Sequence, residues 1–208
     1  MKKSIIVLVI AVLSVSSVFA MGQTDQVKST TVSGGYESVT LNVKEVGKIT
    51  TSGFGVKLDS FSSRPEKHNW NGGFSIGAYF PNSVKDSNKS VELDVTDFYE
   101  KKFVLSFVGG ATYSFLRNEN CDLSIGPVIG YQMVTLQPSS GYGFSHMAFG
   151  FGALLDAKVY LGEAFYINPG VSCTYSPFGI LTNRYDTEFT FEVSAFAVEP
   201  KIGLGFSL

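Results

Sequence analysis

From Leu123 to Leu155 the chain carries no Asp, Glu, Lys or Arg, yet its residues alternate between two kinds. Leu123, Ile125, Ile129, Tyr131 and Met133, then Phe149, Phe151, Ala153 and Leu155, are apolar. Ser124, Gly126, Val128, Gly130 and Gln132, then Gly150 and Gly152, are small or uncharged. A period of two is that of a β-strand, with one kind of residue on each face. A second face in bulk water would carry Lys, Glu or Thr, whereas glycine is depleted from strands because it packs nothing. Glycine suits the inner face of a small closed barrel whose narrow lumen has little room. The apolar face then points outward, and outward means lipid.

The first twenty residues set the expected compartment. Lys2 and Lys3 precede an apolar stretch from Ile5 to Leu13, and Val18-Phe19-Ala20 ends in the small residue expected at a cleavage site. This is the layout of a secretory signal peptide over 1–20, leaving 21–208 as one domain. The residue after Ala20 is Met21, so no lipid-anchor cysteine stands at the junction. The apolar run is shorter than the ~20 residues of a membrane-spanning helix, and no later stretch is long enough either. Hydrophobic residues make up 44% of the chain, aromatic ones 14% and charged ones only 16%. Apolar content spread out by alternation is how a transmembrane barrel escapes a hydropathy window. A net charge of -2 argues against nucleic acid as a partner, since phosphate binding needs a concentrated basic surface.

Eight stretches alternate well enough to be strands: Glu37–Val46, Ile49–Ser60, Gly72–Phe80, Phe103–Phe115, Asp122–Val134, Ala148–Leu161, Phe165–Tyr175 and Phe196–Leu208. The segment Thr30–Val43 competes for the first place. Arg117-Asn118-Glu119-Asn120 and Gly162-Glu163-Ala164 read as tight polar turns. Pro81–Lys102, Pro138–Met147 and Ser176–Ala195 read as longer loops. Short turns alternating with long loops fit a barrel whose short turns, and both chain ends, face the periplasm. Two connections break that pattern: Ser62 to Asn71 is long for a periplasmic turn, and the outer loop at Gly47-Lys48 is short.

Parity then assigns faces. Phe54, Val56, Leu58, Phe74, Ile76, Phe80, Leu105, Phe107, Tyr113, Ile202 and Leu204 are outward; Gly53, Gly55, Ser75, Gly77, Ser106, Thr112, Ser114, Asn168, Ser172, Gly203 and Gly205 are inward. Aromatic residues gather toward strand ends, as in the girdles at lipid–water boundaries. Pro127, Pro169 and Pro200 fall inside strands, where each removes a ladder hydrogen bond; a bulge or an earlier strand end is expected at each. The alternation from Phe189 to Ala195 is out of phase with Phe196–Leu208, which calls for a bulge or loop hairpin near Ala195.

Charged residues also fall at inward positions: Lys44, Lys57, Asp59, Asp156, Lys158, Glu199 and Lys201. Charges hidden from water need partners, so a polar network across the lumen is expected; an ion pathway is the rival reading. An eight-stranded barrel is only wide enough for side chains to fill it, which favours the network.

The C-terminal run Lys201-Ile202-Gly203-Leu204-Gly205-Phe206-Ser207-Leu208 reads polar, any, Gly, any, any, aromatic, any, large apolar. It resembles the β-signal by which bacterial outer-membrane barrels are recognised by the barrel assembly machinery, with Lys201, Gly203, Phe206 and Leu208 at the matching positions. Leu208 departs from the terminal aromatic residue more usual there. An unpaired edge strand adds to another sheet edge through its backbone, with alternate side chains supplying recognition. Signal, strands, loop asymmetry and tail together resemble the small eight-stranded outer-membrane barrels, the OmpA-like, OmpX-like and OmpW-like group, over essentially the whole mature chain. That resemblance implies membrane anchoring, surface interaction or passage of small hydrophobic molecules.

Catalysis finds little footing. The two histidines, His68 and His146, lie in expected connections, and Ser145-His146 places two neighbours on opposite faces of a strand. Two isolated histidines and two distant cysteines do not make a metal site, and no glycine-rich stretch precedes a helix that could hold a phosphate. Cys121 and Cys173 fall on strand positions too far apart to bridge, so free thiols are expected. The acidic stretch Val91–Glu100 reads as a solvated outer loop. The reading is an all-β, antiparallel, up-and-down eight-stranded barrel in the outer membrane of a diderm bacterium, not an enzyme and without cofactor. Its expected partners are outer-membrane lipids, the barrel assembly machinery and a ligand met through the outer loops. The alternatives are a narrow pore or conduit for small apolar molecules, and a soluble periplasmic barrel of lipocalin type with its apolar face inward.

Overall fold

The structure is a computed structural model and describes residues 26–44, 47–66, 68–86, 91–94, 99–138, 143–183, 187–190 and 192–208. The expected signal peptide, 1–20, lies outside the described residues. The chain forms strands β1 (Val27–Val43), β2 (Gly47–Ser63), β3 (Trp70–Asp86), β4 (Val91–Asp94), β5 (Tyr99–Arg117), β6 (Cys121–Pro138), β7 (Phe144–Tyr160), β8 (Phe165–Asn183), β9 (Thr187–Thr190) and β10 (Val193–Ser207). Each long strand pairs antiparallel with the next, and β10 pairs with both β8 and β1, so the sheet closes into an eight-stranded barrel. The short strands β4 and β9 pair with the ends of β3 and β8. The start of β1 and Leu208 lie side by side at one end, here the near end; the opposite rim is the far end.

The long strands run for 15 to 19 residues, well beyond the ~9–11 that a tilted strand needs to cross a bilayer. The excess lies at the near end of β1 and at the far ends of β3, β7 and β8, and it revises the expected boundaries. β1 begins at Val27 rather than Glu37, and the first far turn precedes Gly47. Gly47 takes φ 108 there, a left-handed conformation that glycine adopts without a Cβ clash. The long loops shrink because β3 climbs to Asp86, β7 starts at Phe144 and β8 continues to Asn183, with β4 and β9 inside segments expected to be loops. The phase break sits between β9 and β10, ahead of Ala195. The long near connection is a turn in which Arg64 O accepts from His68 N–H at 3.0 Å and His68 Nδ1 accepts from Trp70 N–H at 3.2 Å.

None of the three prolines makes a bulge or ends a strand. Each leaves a two-residue gap in one ladder while register is kept on either side. Pairing skips from Gly110↔Val128 to Tyr113↔Ile125 at Pro127, from Asp156↔Gly170 to Val159↔Ile167 at Pro169, and from Gly35↔Lys201 to Ser38↔Val198 at Pro200. At Pro169 the repair is visible: Asn168 Nδ2 donates to the carbonyl of Ala157 at 2.6 Å, replacing the missing backbone donor.

The rows of large apolar residues face out. Phe54 is 64% exposed, Ile129 69%, Phe151 62% and Leu204 68%. A lipocalin-type barrel would hide these rows, so that alternative falls. On β10 the outward run from Phe196 to Phe206 spans ten residue steps, and at about 3.3 Å per step and about 40° of tilt it covers about 25 Å, the height of a membrane barrel's apolar band.

Candidate functional site

Inside the apolar band the lumen is filled with paired charges. Lys57 Nζ lies 2.5 Å from Glu199 Oε2, and both side chains are fully buried. Glu199 also accepts from Tyr79, Ser106 and Ser172 hydroxyls at 3.3 to 3.4 Å, and Lys57 donates to Ser172 at 3.2 Å. Below this group, Lys201 Nζ donates to Asp59 Oδ2 at 2.6 Å and to Asn168 Oδ1 at 3.0 Å, and lies 3.1 Å from Asp156. Lys158, nearer the terminal end, donates to Ser29 Oγ at 2.8 Å and sits 5.3 Å from the centroid of the Tyr166 ring. These side chains come from β1, β2, β3, β5, β7, β8 and β10, so the network ties opposite walls together. Lys44 does not join it: it stands beyond the end of β1, two-thirds exposed, in a 3.5 Å ion pair with Glu192. The inward parity of β1 ends with the strand, and a turn residue there is free to face water.

Several members of the lumen have no place in the residue-pattern reading. Glu37 is buried and accepts from Gln132 Nε2 at 2.6 Å. It keeps phase with Ser33 and Gly35, which the parity of a β1 begun at Thr30 or earlier would reveal. Arg117, expected in a turn, folds back instead: Nε donates to Asp122 Oδ2 at 2.8 Å, and Nη2 donates to Asn71 Oδ1 and Ser114 Oγ at 2.7 Å. Arg117, Asp122, Lys158 and Tyr160 line an open vestibule of about 880 Å³ at the near end.

Inward glycines seat inward rings. A Cβ at Gly77 would lie 2.6 Å from Tyr79 Cε2, and one at Gly73 would lie 2.7 Å from Phe61 Cδ1. At Gly205 a Cβ would overlap the Tyr166 ring, whose hydroxyl shares a 2.9 Å hydrogen bond with Thr31. Glycine on this face therefore leaves space that large side chains from the same strand or from other strands fill.

Above the apolar band the polarity inverts. The inner wall becomes apolar, with Val39, Leu41, Val84, Val104, Val134, Leu136, Val193 and Ala195 clustered at 0 to 5% exposure. The outer wall at the same height carries Ser38, Thr40, Lys48, Thr50 and Lys85. The Thr40 and Thr50 hydroxyls bond each other at 3.0 Å on that outer face. The polar column thus opens toward the vestibule and ends, at the far rim, against an apolar plug.

In the assembly-signal motif, Lys201 is buried in the network and Gly203 lies against Ser33. Phe206 faces outward, and Leu208 exchanges two 2.8 Å backbone hydrogen bonds with Lys28. Both edges of β10 are thus occupied in the closed barrel. Ser145 and His146 point apart: Ser145 shares a 3.0 Å hydrogen bond with Thr135, while His146 is buried inward. Cys121 and Cys173 are free. Among the described residues no three His, Cys, Asp or Glu groups gather into a metal site.

No protein-family model matches the chain, and no curated protein matches it in sequence. Solved structures do match its fold. The outer membrane protein OprG from Pseudomonas aeruginosa aligns with a TM-score of 0.58 at 11% identity, covering 90% of this chain and 98% of its own. Neisserial surface protein A (NspA) aligns with a TM-score of 0.54 at 11% identity, covering 85% and 96%. A major outer membrane protein from Thermus thermophilus aligns with a TM-score of 0.52 at 8% identity, covering 88% and 99%. The chain therefore has the fold of the small outer-membrane β-barrels.

Proposed function

We propose that this chain is an integral outer-membrane barrel that anchors a rigid far end at the cell surface and acts through it. The observation that carries the reading is the pairing of an apolar belt around the outside with a lumen that is filled and plugged. Burying such a belt in acyl chains removes large apolar side chains from water, at about 25 cal/mol per Å². The near end then faces the periplasm and the connections of the far end face outward, where solvent-exposed backbone meets other molecules. Lipids of the outer membrane surround the belt. Before closure, the free edge of β10 offers Gly203, Phe206 and Leu208 to the barrel assembly machinery.

Heat-modifiable migration combined with proteolysis of intact cells tests this. The expected result is a compact unheated band, with cleavage confined to the connections between β3 and β5, β6 and β7, and β8 and β10. A chain that stays monomeric and folded in buffer without detergent would overturn the reading. The filled lumen favours anchoring over a conduit, so planar bilayers with purified protein at neutral pH are expected to show no steady open-channel current.

A further inference from the structure

The far tier of the barrel is a water-facing β-barrel with its own apolar core, stacked on a membrane tier with a polar one. One basic side chain is set into that apolar core. His146 points inward from β7 at 1% exposure, with Val134 of β6 and Leu181 of β8 as its register partners. Its Nε2 has no hydrogen-bond partner among the described residues. The ring lies close against β8, where a Cβ at Gly179 would come within 2.5 Å of Nε2 and 3.0 Å of Cε1. No carboxylate on β6 or β8 shares its height on the inner wall, where Val134, Leu136, Gly179 and Leu181 stand.

The titratable groups around it are few among the described residues. Glu37 and Tyr79 lie below, at the floor of the plug. Lys102 of β5 holds the register position beside Leu136, and Glu188 of β9 the position beside Leu181. Lys44 and Glu192 pair at the exposed rim. His146 itself stands above the apolar band, whose last outward ring on β7 is Phe149.

We propose that the far tier is an acid-opened cap, in which protonation of His146 unseats the apolar plug and frees the far ends of β6, β7 and β8 while the membrane tier stays closed. An imidazolium inside an apolar cluster is an unpaired buried charge, and moving the rim into water is its relief. Burial pushes the pKa of His146 down to about 4, whereas an opened rim returns it toward the ordinary value of about 6.5. Between those values the opened form binds more protons, so falling pH favours opening. The membrane tier does not follow, because its outer surface remains in lipid and its inner ion pairs tie opposite walls together.

Hydrogen–deuterium exchange on the full folded chain in lipid nanodiscs, corrected for the intrinsic pH dependence of exchange, tests the cap. Amides of 133–137, 145–148 and 179–182 are expected to lose roughly a hundredfold in protection between pH 7 and pH 4, while those of 150–158 keep theirs. His146→Gln and His146→Phe, neither of which titrates, are expected to flatten that response; the Gln variant carries the comparison if the Phe variant does not fold. The wild-type protein alone overturns the proposal if its rim protection does not change with pH, or if both tiers lose protection together. An unchanged acid response in the variants overturns it as well. A barrel that failed the heat-modifiability test would be recognised separately, by the absence of any compact band at neutral pH.

Discussion

Inward rings in the lumen take space that glycines on the inner wall leave open. Tyr166 lies where a Cβ on Gly205 would be, and Tyr79 where one on Gly77 would be. Gly205→Leu is expected to push Tyr166 off Thr31 and to cost about 1–3 kcal/mol by overpacking. Adding Tyr166→Ala should restore much of that loss, measured by thermal unfolding in detergent; purely additive losses would show that the two sites do not share the space. The ion pairs behave differently. Lys57→Met strands the buried Glu199 carboxylate and is expected to cost about 3–5 kcal/mol. The double change Lys57→Met with Glu199→Leu should cost far less, because neither charge is then left buried and unpaired. Equal losses from the single and double variants would mean that the pair stabilises the fold by its attraction alone.

β8 tolerates Pro169 because repair is local. Pro169 removes one donor from the β7–β8 ladder, and Asn168 supplies another to the same carbonyl of Ala157. Asn168→Leu is therefore expected to cost about 1–3 kcal/mol, the penalty of a buried acceptor left unpaired. Pro169→Val should recover part of that loss in the double variant by restoring a backbone N–H, as denaturant unfolding would report. Asn168 also holds Asp156 at 3.0 Å and Lys201 at 3.0 Å, so recovery is expected to be incomplete. The far halves of β6, β7 and β8 carry a pH term of their own. With the pKa of His146 lowered to about 4, the unfolded chain binds more protons than the folded one below about pH 6.5. Folding stability should then fall as pH drops through that window, by about 3 kcal/mol from this group once pH is below 4. His146→Gln should lack that component in unfolding titrations, and a wild-type curve superimposing on it would rule the component out.

The whole molecule is two barrels of opposite polarity on one set of strands. In the band, apolar side chains face out and charges face in; at the far rim, hydroxyls and lysines face out and Val, Leu and Ala face in. Parity is continuous along β1 from Ser33 through Glu37 to Leu41, whereas register shifts place an extra residue in β3 between Pro81 and Ser83 and in β8 between Tyr175 and Phe178. On β1 the inversion changes which residue types occupy each parity; on β3 and β8 the extra residue also moves the inward face from Tyr79 to Val84 and from Thr174 to Gly179. At this scale the tail motif also makes a prediction. Phe206→Ala combined with loss of Leu208 is expected to lower the folded, heat-modifiable fraction in cells several-fold, while refolding into detergent in vitro is little changed. A parallel loss in both settings would mean that the two residues serve folded-state stability rather than assembly. Closure was legible because alternation survives even where charge vanishes, as in Leu123–Leu155. The strand ends were not, because above the band the inside and outside both lose the glycine-against-aromatic contrast that marks them.

Alternation and the placement of glycine, by themselves, determined that the chain makes a closed antiparallel barrel with apolar rows outward and Lys57, Asp59, Asp156, Lys158, Glu199 and Lys201 on the inner wall. These are properties of one strand at a time, and a period of two is enough to read them. Which lysine meets which carboxylate, that Arg117 turns inward while Lys44 does not, and that the lumen ends in a plug around His146 were decided only by tertiary structure. Those contacts depend on the stagger that closing the sheet imposes between strands far apart in the chain, and no window along a single strand contains it.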